Sequence, residues 1–128
     1  METFDRRHLQ EELSVVYDAL NSSANGVIIT NLDGRITFVN PALLRTFEYL
    51  EKTEVLGKNA AELFVEGKVR KFSDVEALID KTKGEIEEFD VQRSGGTVFP
   101  VEVSYSNVTD HRGNVVGRMA SFVDPNVA

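Results

Sequence analysis

Two short apolar segments that meet at a tight turn constrain the fold most. Residues 27–31 (VIITN) and 36–39 (ITFV) flank Asp33-Gly34, a dipeptide that suits the positive φ values of a two-residue hairpin loop. The predicted cross-strand neighbours are Thr30 with Thr37, Ile28 with Val39, Ile29 with Phe38, and Val27 with Asn40. Each face of this hairpin carries large apolar side chains, so both faces of the sheet need cover.

A short helix is predicted directly after the hairpin. Asn40 can accept hydrogen bonds from the free N–H groups at a helix start, and Pro41 suits the first helical position, where an N–H would be unpaired. This helix is expected over residues 41–47. Glycines break the next segment into short helical turns, and a longer helix is expected over residues 73–84.

Residues 5–20 show the pattern of an amphipathic helix. The apolar residues at helical spacing are Leu9, Leu13, Val16, Tyr17 and Leu20. Two interpretations stay open: the helix covers its own domain, or it also contacts a second chain. The spacing fits a heptad seam, but about two heptads are too few to establish a coiled coil.

After Gly84 the apolar residues recur with the period of two that marks strands. Three strands are predicted over residues 85–93, 97–108 and 114–124, joined by short polar turns. In the last strand one face is expected to carry Val116, Arg118, Ala120 and Phe122. The order of elements predicts an α+β domain with a five-stranded antiparallel sheet, the central helices on one face, and the N-terminal amphipathic helix on or beside the other.

Composition excludes several classes of function. The 128 residues suit one domain, and 14 basic against 21 acidic residues leave a net charge of −7, which repels a nucleic-acid backbone. Without cysteine, disulfides, thiolate metal sites and cysteinyl adducts cannot form in this chain. No apolar run approaches the roughly 18 residues of a membrane span, and the N-terminal segment is too charged for a signal peptide, so a cytoplasmic location is expected.

Residues from about 20 to 124 resemble the PAS sensory domains. The resemblance rests on four segments in the family's order and spacing: VIITNLDGRITFVNPALLRTFEY, VLGKNAAELF, DVQRSGGTVFPVEVS and GNVVGRMASFVD. The chain departs from the family at Glu48, where a glycine is frequent, and at Asp124-Pro125, where many members continue into a linker helix. The expected division is an N-terminal helix over residues 1–22, a PAS domain over 23–124 and a tail over 125–128.

The resemblance implies a role in signalling. PAS domains bind small molecules or cofactors in a cleft between the sheet and the central helices, and pass the state of that cleft to a kinase, a cyclase or another regulator. We therefore expect a cytoplasmic sensory and dimerisation module of a signal-transduction protein, such as a two-component sensor histidine kinase or a diguanylate cyclase. The output domain or partner protein is expected to lie outside this chain.

A bound flavin is not expected from the resemblance. The light-sensing branch of the family carries the signature G-x-N-C-x-x-L-Q, whereas GKNAAELF has Ala60 at the cysteine position and Phe64 at the glutamine position. Polar residues that hold the flavin ring in that branch are matched by Val91, Val101 and Phe122. Each polar ring atom buried against these side chains would go unpaired at a cost of roughly 1–3 kcal/mol.

Haem is not expected either, because the predicted helix over residues 73–84 has no histidine to serve as an axial ligand. His8 and His111 are interpreted as solvated side chains, and His8 lacks the Glu and Pro that follow a kinase phosphoacceptor. No cofactor is therefore predicted. Two alternatives stay open: an unidentified small organic ligand, and a redox, gas or light sensor with bound flavin or haem.

An apolar pocket is expected between the sheet and the central helices. Its candidate lining residues are Ile28, Thr30, Asn59, Leu63, Val91, Val101, Val103, Tyr105, Ala120 and Phe122. Only three of these side chains offer polar atoms and none is an acid or a histidine, so no catalytic activity is expected. A small α+β enzyme would instead require Asp90 or Glu102 to point into the cleft. The same residues suit either a filled core or a site for a small apolar ligand.

A homodimer is expected through the outer sheet face and the N-terminal helix. The candidate contact residues are Leu9, Leu13, Val16, Leu20, Val27, Ile29, Val115, Met119 and Val123. The expectation rests on the apolar character of this face, which is too extensive to be left to water.

Overall fold

The computed structural model describes residues 14–64 and 87–124. Its elements are helix α1, described over residues 14–22, strands β1 (Gly26–Thr30) and β2 (Ile36–Val39), helix α2 (Pro41–Phe47), two 3₁₀ helices (Lys52–Glu54 and Ala60–Leu63), and strands β3 (Glu87–Gln92), β4 (Val98–Thr109) and β5 (Val115–Val123). The strands form one five-stranded sheet in the order β2-β1-β5-β4-β3, with every neighbouring pair antiparallel. The predicted α+β fold class is confirmed.

Several predictions fall outside the described residues. They are the helix over residues 73–84, the tail over 125–128, the histidine at position 8, and the dimer contacts at Leu9 and Leu13.

The inner face of the sheet carries the hydrophobic core. Phe122 of β5 packs edge-to-face on Phe47 of α2, with ring centroids 5.4 Å apart, and Phe47 also meets the ring of Phe99 at 5.5 Å. Leu43 of α2 is fully buried beside them. Burial of each such side chain contributes roughly 1.5–3 kcal/mol. Helix α2 therefore covers the inner face.

Helix α1 lies on the opposite, outer face. The ring of Tyr17 packs edge-to-face on Phe38 of β2, with centroids 6.0 Å apart. Phe38 pairs with Ile29, and successive strand residues point to opposite faces, so both lie opposite the buried core residue Ile28. The predicted position of the N-terminal helix, on or beside the second face, is confirmed.

Asn40 joins four parts of the chain through one side chain. Its Oδ1 accepts hydrogen bonds from the backbone N–H groups of Val27 at 2.8 Å and Leu43 at 3.0 Å. Its Nδ2 donates to the carbonyl oxygens of Leu20 and Asn25, both at 2.9 Å. All four hydrogen-bonding positions of the amide are used in a residue that is 0% exposed. The predicted helix cap is confirmed, and the same side chain also fixes α1 and β1.

The three hairpin turns, at residues 31–35, 93–97 and 110–114, share one geometry. In each, the fourth residue is a glycine with a left-handed φ of 85°, 91° or 85°. Its N–H donates to the carbonyl of the first residue at 2.8–3.1 Å, and the first N–H donates to the fifth carbonyl at 2.8–2.9 Å. This is the three-residue loop formed by a type I turn followed by a left-handed residue.

The predicted two-residue loop at Asp33-Gly34 is therefore wrong. Only Gly34 has a positive φ there, and the third loop residue shifts the register, so Thr30 pairs with Ile36 instead of Thr37. A β-bulge of this kind absorbs the extra residue and increases the local twist.

The predicted position of Val116 on the inner face of β5 is also wrong, because a register shift lies beside the 110–114 turn. Val108 pairs with Gly117 and Thr109 with Val115, so Val116 is the extra residue of a second register shift. Val116 was expected on the inner face and is exposed instead.

A carboxamide or carboxylate at the first turn position stabilises two of these longer loops. Asn31 Oδ1 accepts from the backbone N–H groups two and four residues later, at 3.0 and 2.9 Å. Asp110 Oδ1 does the same at 2.8 and 3.0 Å. These local bonds favour the turn over a continued strand.

One segment, residues 57–64, covers both edges of the sheet. At the β2 edge, Gly57 N–H donates to the carbonyl of Ile36 at 2.8 Å, and Ile36 N–H donates to the carbonyl of Lys58 at 2.9 Å. At the β3 edge, Phe64 forms an antiparallel bridge with Val91. The 3₁₀ helix between these contacts lies in the core. The segment as a whole pairs with backbone groups of the edge strands that an open edge would expose.

We expect Asn40→Ala to lower the free energy of unfolding by about 3 kcal/mol, because two N–H and two carbonyl groups lose a buried partner. Urea denaturation measures the change. The control is Asn114→Ala at an exposed position with one side-chain donor bond of 3.3 Å, where the loss should stay below about 1 kcal/mol. A loss at Asn40 no larger than at Asn114 would contradict the assignment.

We expect the contribution of Asp110 to stability to depend on pH. The backbone N–H of Asn114, followed by that of Arg112 and the Asn114 side chain, lowers the pKa of the Asp110 carboxyl. A pKa lowered by folding adds stability above the unfolded-state pKa, and that stability is lost as the pH falls through the folded-state pKa. The stability of the wild type relative to Asp110→Asn, measured by urea denaturation, should therefore decrease as the pH falls from 7 to about 3. A difference independent of pH would refute this role.

Candidate functional site

The inner face encloses a small cavity of about 10 Å³. We call its lining residues the inner pocket: Ile28, Thr30, Ala60, Phe64, Tyr105, Arg118, Ala120 and Phe122. A volume of this size holds about one water molecule, whereas most small-molecule sites measure roughly 300–1,000 Å³. The side chains around this cavity therefore leave little free space between them.

The structure brings half of the predicted pocket residues to the cavity wall. These are Ile28, Thr30, Tyr105, Ala120 and Phe122. The core residues Leu63, Val91, Val101 and Val103 are fully buried but pack around the cavity without lining it. Whether the inner pocket binds a ligand stays a prediction.

Asn59 was predicted to line the pocket but does not line the cavity. Its Oδ1 accepts from the N–H of Ala61 at 3.0 Å, and its Nδ2 lies 3.3 Å from the carbonyl oxygen of Asp33. The amide therefore caps the 3₁₀ helix Ala60–Leu63 and joins it to the first hairpin turn. Asn59 serves the local backbone rather than the cavity.

Sequence reasoning missed three lining residues, and each had a signal. Ala60 and Phe64 stand at the cysteine and glutamine positions of the light-sensing signature, and that match was the signal for a place at the cleft. Arg118 alternates with Ala120 and so shares its face. Phe64 fills the pocket by packing on Phe89 and Phe122, with centroids 5.4 and 6.1 Å away.

Thr30 is the buried hydroxyl of the inner pocket. It is 3% exposed, and its Oγ1 has no hydrogen-bond partner among the described residues. A close backbone approach sets its position, because a Cβ added to Gly117 of β5 would lie 2.3 Å from the carbonyl oxygen of Thr30. Only glycine allows β1 and β5 to approach so closely there.

The second candidate site is apolar and faces outward. We call it the outer surface: Val15, Val16, Tyr17 and Leu20 of α1, with Ile29, Val115, Met119 and Val123 of the sheet. On α1, Val15, Val16 and Tyr17 are 68%, 56% and 53% exposed. Val115 and Val123 are also exposed, while Leu20, Ile29 and Met119 are half-buried.

Val27 was predicted to be a dimer contact but is buried within its own chain. It is only 6% exposed, so its own chain already covers it. It precedes Ile28 in β1 and thus lies on the outer face, beside the loop that Asn40 holds through the Val27 N–H. Val27 is therefore not part of the outer surface.

Arg93, the first residue of the β3–β4 turn, contacts the acidic residues that directly follow α2 and β5. Its Nε lies 3.0 Å from the Glu48 carboxylate, its Nη2 lies 3.9 Å from that of Asp124, and its guanidinium carbon lies 3.8 Å from the Phe99 ring centroid. Glu48 directly follows α2 with a left-handed φ of 58°. An open surface depression of about 420 Å³ adjoins this group.

Neither acid that an enzyme would need lies in the inner pocket. Asp90 is exposed, and Glu102 lies between the inward residues Val101 and Val103, so it points to the outer face. Within residues 14–64 and 87–124, no cluster of histidine and acidic side chains could hold a metal ion. Over the same ranges, no helix is both long and apolar enough to cross a bilayer.

Comparison with known proteins identifies the fold. A family model described as a PAS domain matches residues 24–124. The chain belongs to the PAS domain family. PAS domains are as a rule sensory modules of signalling proteins rather than catalysts, and the inner pocket lies in the cleft between sheet and helices. No curated protein sequence matches the chain significantly.

Solved PAS structures share this fold at low sequence identity. The PAS domain of an HTR-like protein from Haloarcula marismortui is 20% identical, with a TM-score of 0.67 over 94% of this chain and 96% of that one. A PAS domain from a two-component sensor histidine kinase is 19% identical, with a TM-score of 0.69 over 88% of this chain and 95% of that one. An RNA-binding light-oxygen-voltage receptor is 23% identical, with a TM-score of 0.72 over 87% of this chain, which spans 32% of the receptor chain.

We expect the PAS domain to be more stable with glycine than with alanine at position 48. Both substitutions remove the ion pair with Arg93, but only glycine adopts the left-handed φ of 58° without strain. Glu48→Gly should therefore unfold with a free energy about 1 kcal/mol higher than Glu48→Ala, as measured by urea denaturation. Equal stability of the two variants would show that this conformation relaxes at no cost.

Proposed function

We propose that this PAS domain is a cytoplasmic sensory and dimerisation module of a signal-transduction protein, such as a two-component sensor histidine kinase, a diguanylate cyclase or a similar regulator. The observation that carries the proposal is the outer surface. Helix α1 packs on the sheet through Tyr17, yet three successive apolar side chains of the helix stay exposed. Exposed apolar groups of this kind mark interaction sites, and a second copy of the chain is the proposed partner.

The strands provide a physical connection between the inner pocket and the outer surface. Ile28 faces the pocket and the next residue, Ile29, belongs to the outer surface. On the paired strand β5, Ala120 and Met119 have the same relation. A ligand that shifts β1 against β5 would move both surfaces together, which is the coupling that a sensor requires.

We propose that the domain acts without flavin or haem. Val91 and Val101 are fully buried and Phe122 packs between two aromatic rings, so apolar side chains stand where a flavin would need polar partners. The small volume of the cavity supports the same proposal. These apolar side chains therefore support a pocket without a flavin. The visible absorption of flavin or haem in the purified protein would favour the alternative, a cofactor-binding redox, gas or light sensor.

We also propose that the domain has no catalytic activity and does not bind nucleic acid. The positions of Asp90 and Glu102 outside the inner pocket support the first point, and the net charge of −7 supports the second. An unidentified small organic ligand stays compatible with the pocket if the core expands to admit it.

We expect the domain to sediment as a dimer at high micromolar concentration, and Val16→Glu to weaken that dimer at least about tenfold, because a carboxylate would lose its hydration in an apolar contact. Sedimentation velocity over a concentration series measures both. Circular dichroism should show that the variant stays folded, since Val16 is more than half exposed.

The matched control for Val16 is Leu50→Glu. Leu50 is 91% exposed and lies shortly after α2, the helix that covers the inner face, so the same added charge there should leave the dimer unchanged. A monomeric wild-type domain at high micromolar concentration, or equal weakening by both variants, would overturn the proposed dimer surface.

A further inference from the structure

The Thr30 hydroxyl is a buried polar group. Its oxygen is buried at the wall of the inner pocket and meets no hydrogen-bonding atom of the described residues. A buried hydroxyl without a partner destabilises the fold, and native proteins rarely keep one. The fold could place valine there at almost the same volume, so the hydroxyl needs a physical reason.

The cavity beside Thr30 has the size and chemistry of a hydration site. Its volume of about 10 Å³ is near the lower limit for one water molecule, and such a water needs two to four polar partners. Tyr105 and Arg118 line the same cavity, and each has more than one hydrogen-bonding position. Apolar side chains form the rest of the wall, so the polar groups determine where a bound molecule sits.

We propose that the inner pocket binds a single water molecule, held by Thr30 Oγ1 at the polar end of the cavity. The water gives the hydroxyl its partner and fills the space between β1, β4 and β5. The site belongs to the folded core and exists whether or not the domain dimerises.

The bound water has a consequence for ligands, and this consequence rests on the proposed sensory function. A molecule that enters the inner pocket must keep the water or replace its hydrogen bond to Thr30. Displacing an ordered water with a group that cannot reproduce its bonds loses affinity. The pocket should therefore prefer a ligand whose apolar body carries one hydroxyl or carbonyl group over a pure hydrocarbon.

The direction in which one substitution changes the melting temperature tests the water site. Thr30→Val keeps the shape of the side chain and removes the hydroxyl. If the hydroxyl holds a water, the variant should unfold at a temperature about 4 °C lower, corresponding to the loss of one net hydrogen bond. If the hydroxyl is dry, the substitution removes an unpaired polar group and the melting temperature should stay the same or rise, which would overturn the proposal.

Thr37→Val is the matched control. Thr37 lies on the neighbouring strand, is exposed, and donates to the carbonyl of Ile29 at 3.2 Å. The melting temperature of the Thr37→Val variant should differ from that of the wild type by less than about 2 °C. A crystal structure of the wild-type domain provides a second readout: ordered water at roughly 2.7–3.0 Å from Thr30 Oγ1 is expected. Absence of that water in a map that shows other buried waters would refute the site independently of dimerisation.

Discussion

The rest of the structure depends on the buried amide of Asn40. Helix α1 and the loop after it contact this amide through the carbonyls of Leu20 and Asn25, while β1 and α2 contact it through two backbone N–H groups. The helix on the outer face and the helix on the inner face are thus fixed to the same side chain. No apolar side chain could do this, because it would offer no hydrogen-bond partner to these four backbone groups. The two candidate sites lie on opposite faces of the sheet that this amide holds in place.

Closure of the sheet is the second constraint. The three-residue turns set the register of each hairpin, and two of them add a bulge that leaves Val116 and Thr37 outside the regular pairing. The segment over residues 57–64 then pairs with both edge strands and brings Ala60 and Phe64 to the inner pocket. The same contacts that protect the edges also reduce the cavity to the volume of one water. In this domain, edge protection and pocket size are therefore consequences of one segment.

Much of the fold could be predicted, because its signals are local. Asn40-Pro41 marks a helix start through capping and a fixed φ, and the period of two in the last third marks strands whatever they pair with. Loop length was predicted wrongly at residues 31–35, because Asp-Gly suits both a two-residue and a three-residue hairpin, and the Asn31 side chain favours the longer one. The extra residue of this loop changes the partner of Thr30, and a separate register shift beside the 110–114 turn exposes Val116. Local propensity alone could not distinguish the two registers.

The sequence by itself determined the fold class, the strand faces near the centre of the sheet, the cap at Asn40 and the absence of any cysteine chemistry. Each of these depends on residue type and on spacing along the chain. Only the tertiary structure decided that Asn59 caps a helix instead of lining the pocket, that Val27 is covered, and that the cavity measures about 10 Å³. These outcomes depend on which distant segments meet, and packing fills or opens a space according to all the side chains around it. A list of inward residues therefore predicts the wall of a pocket but not its volume.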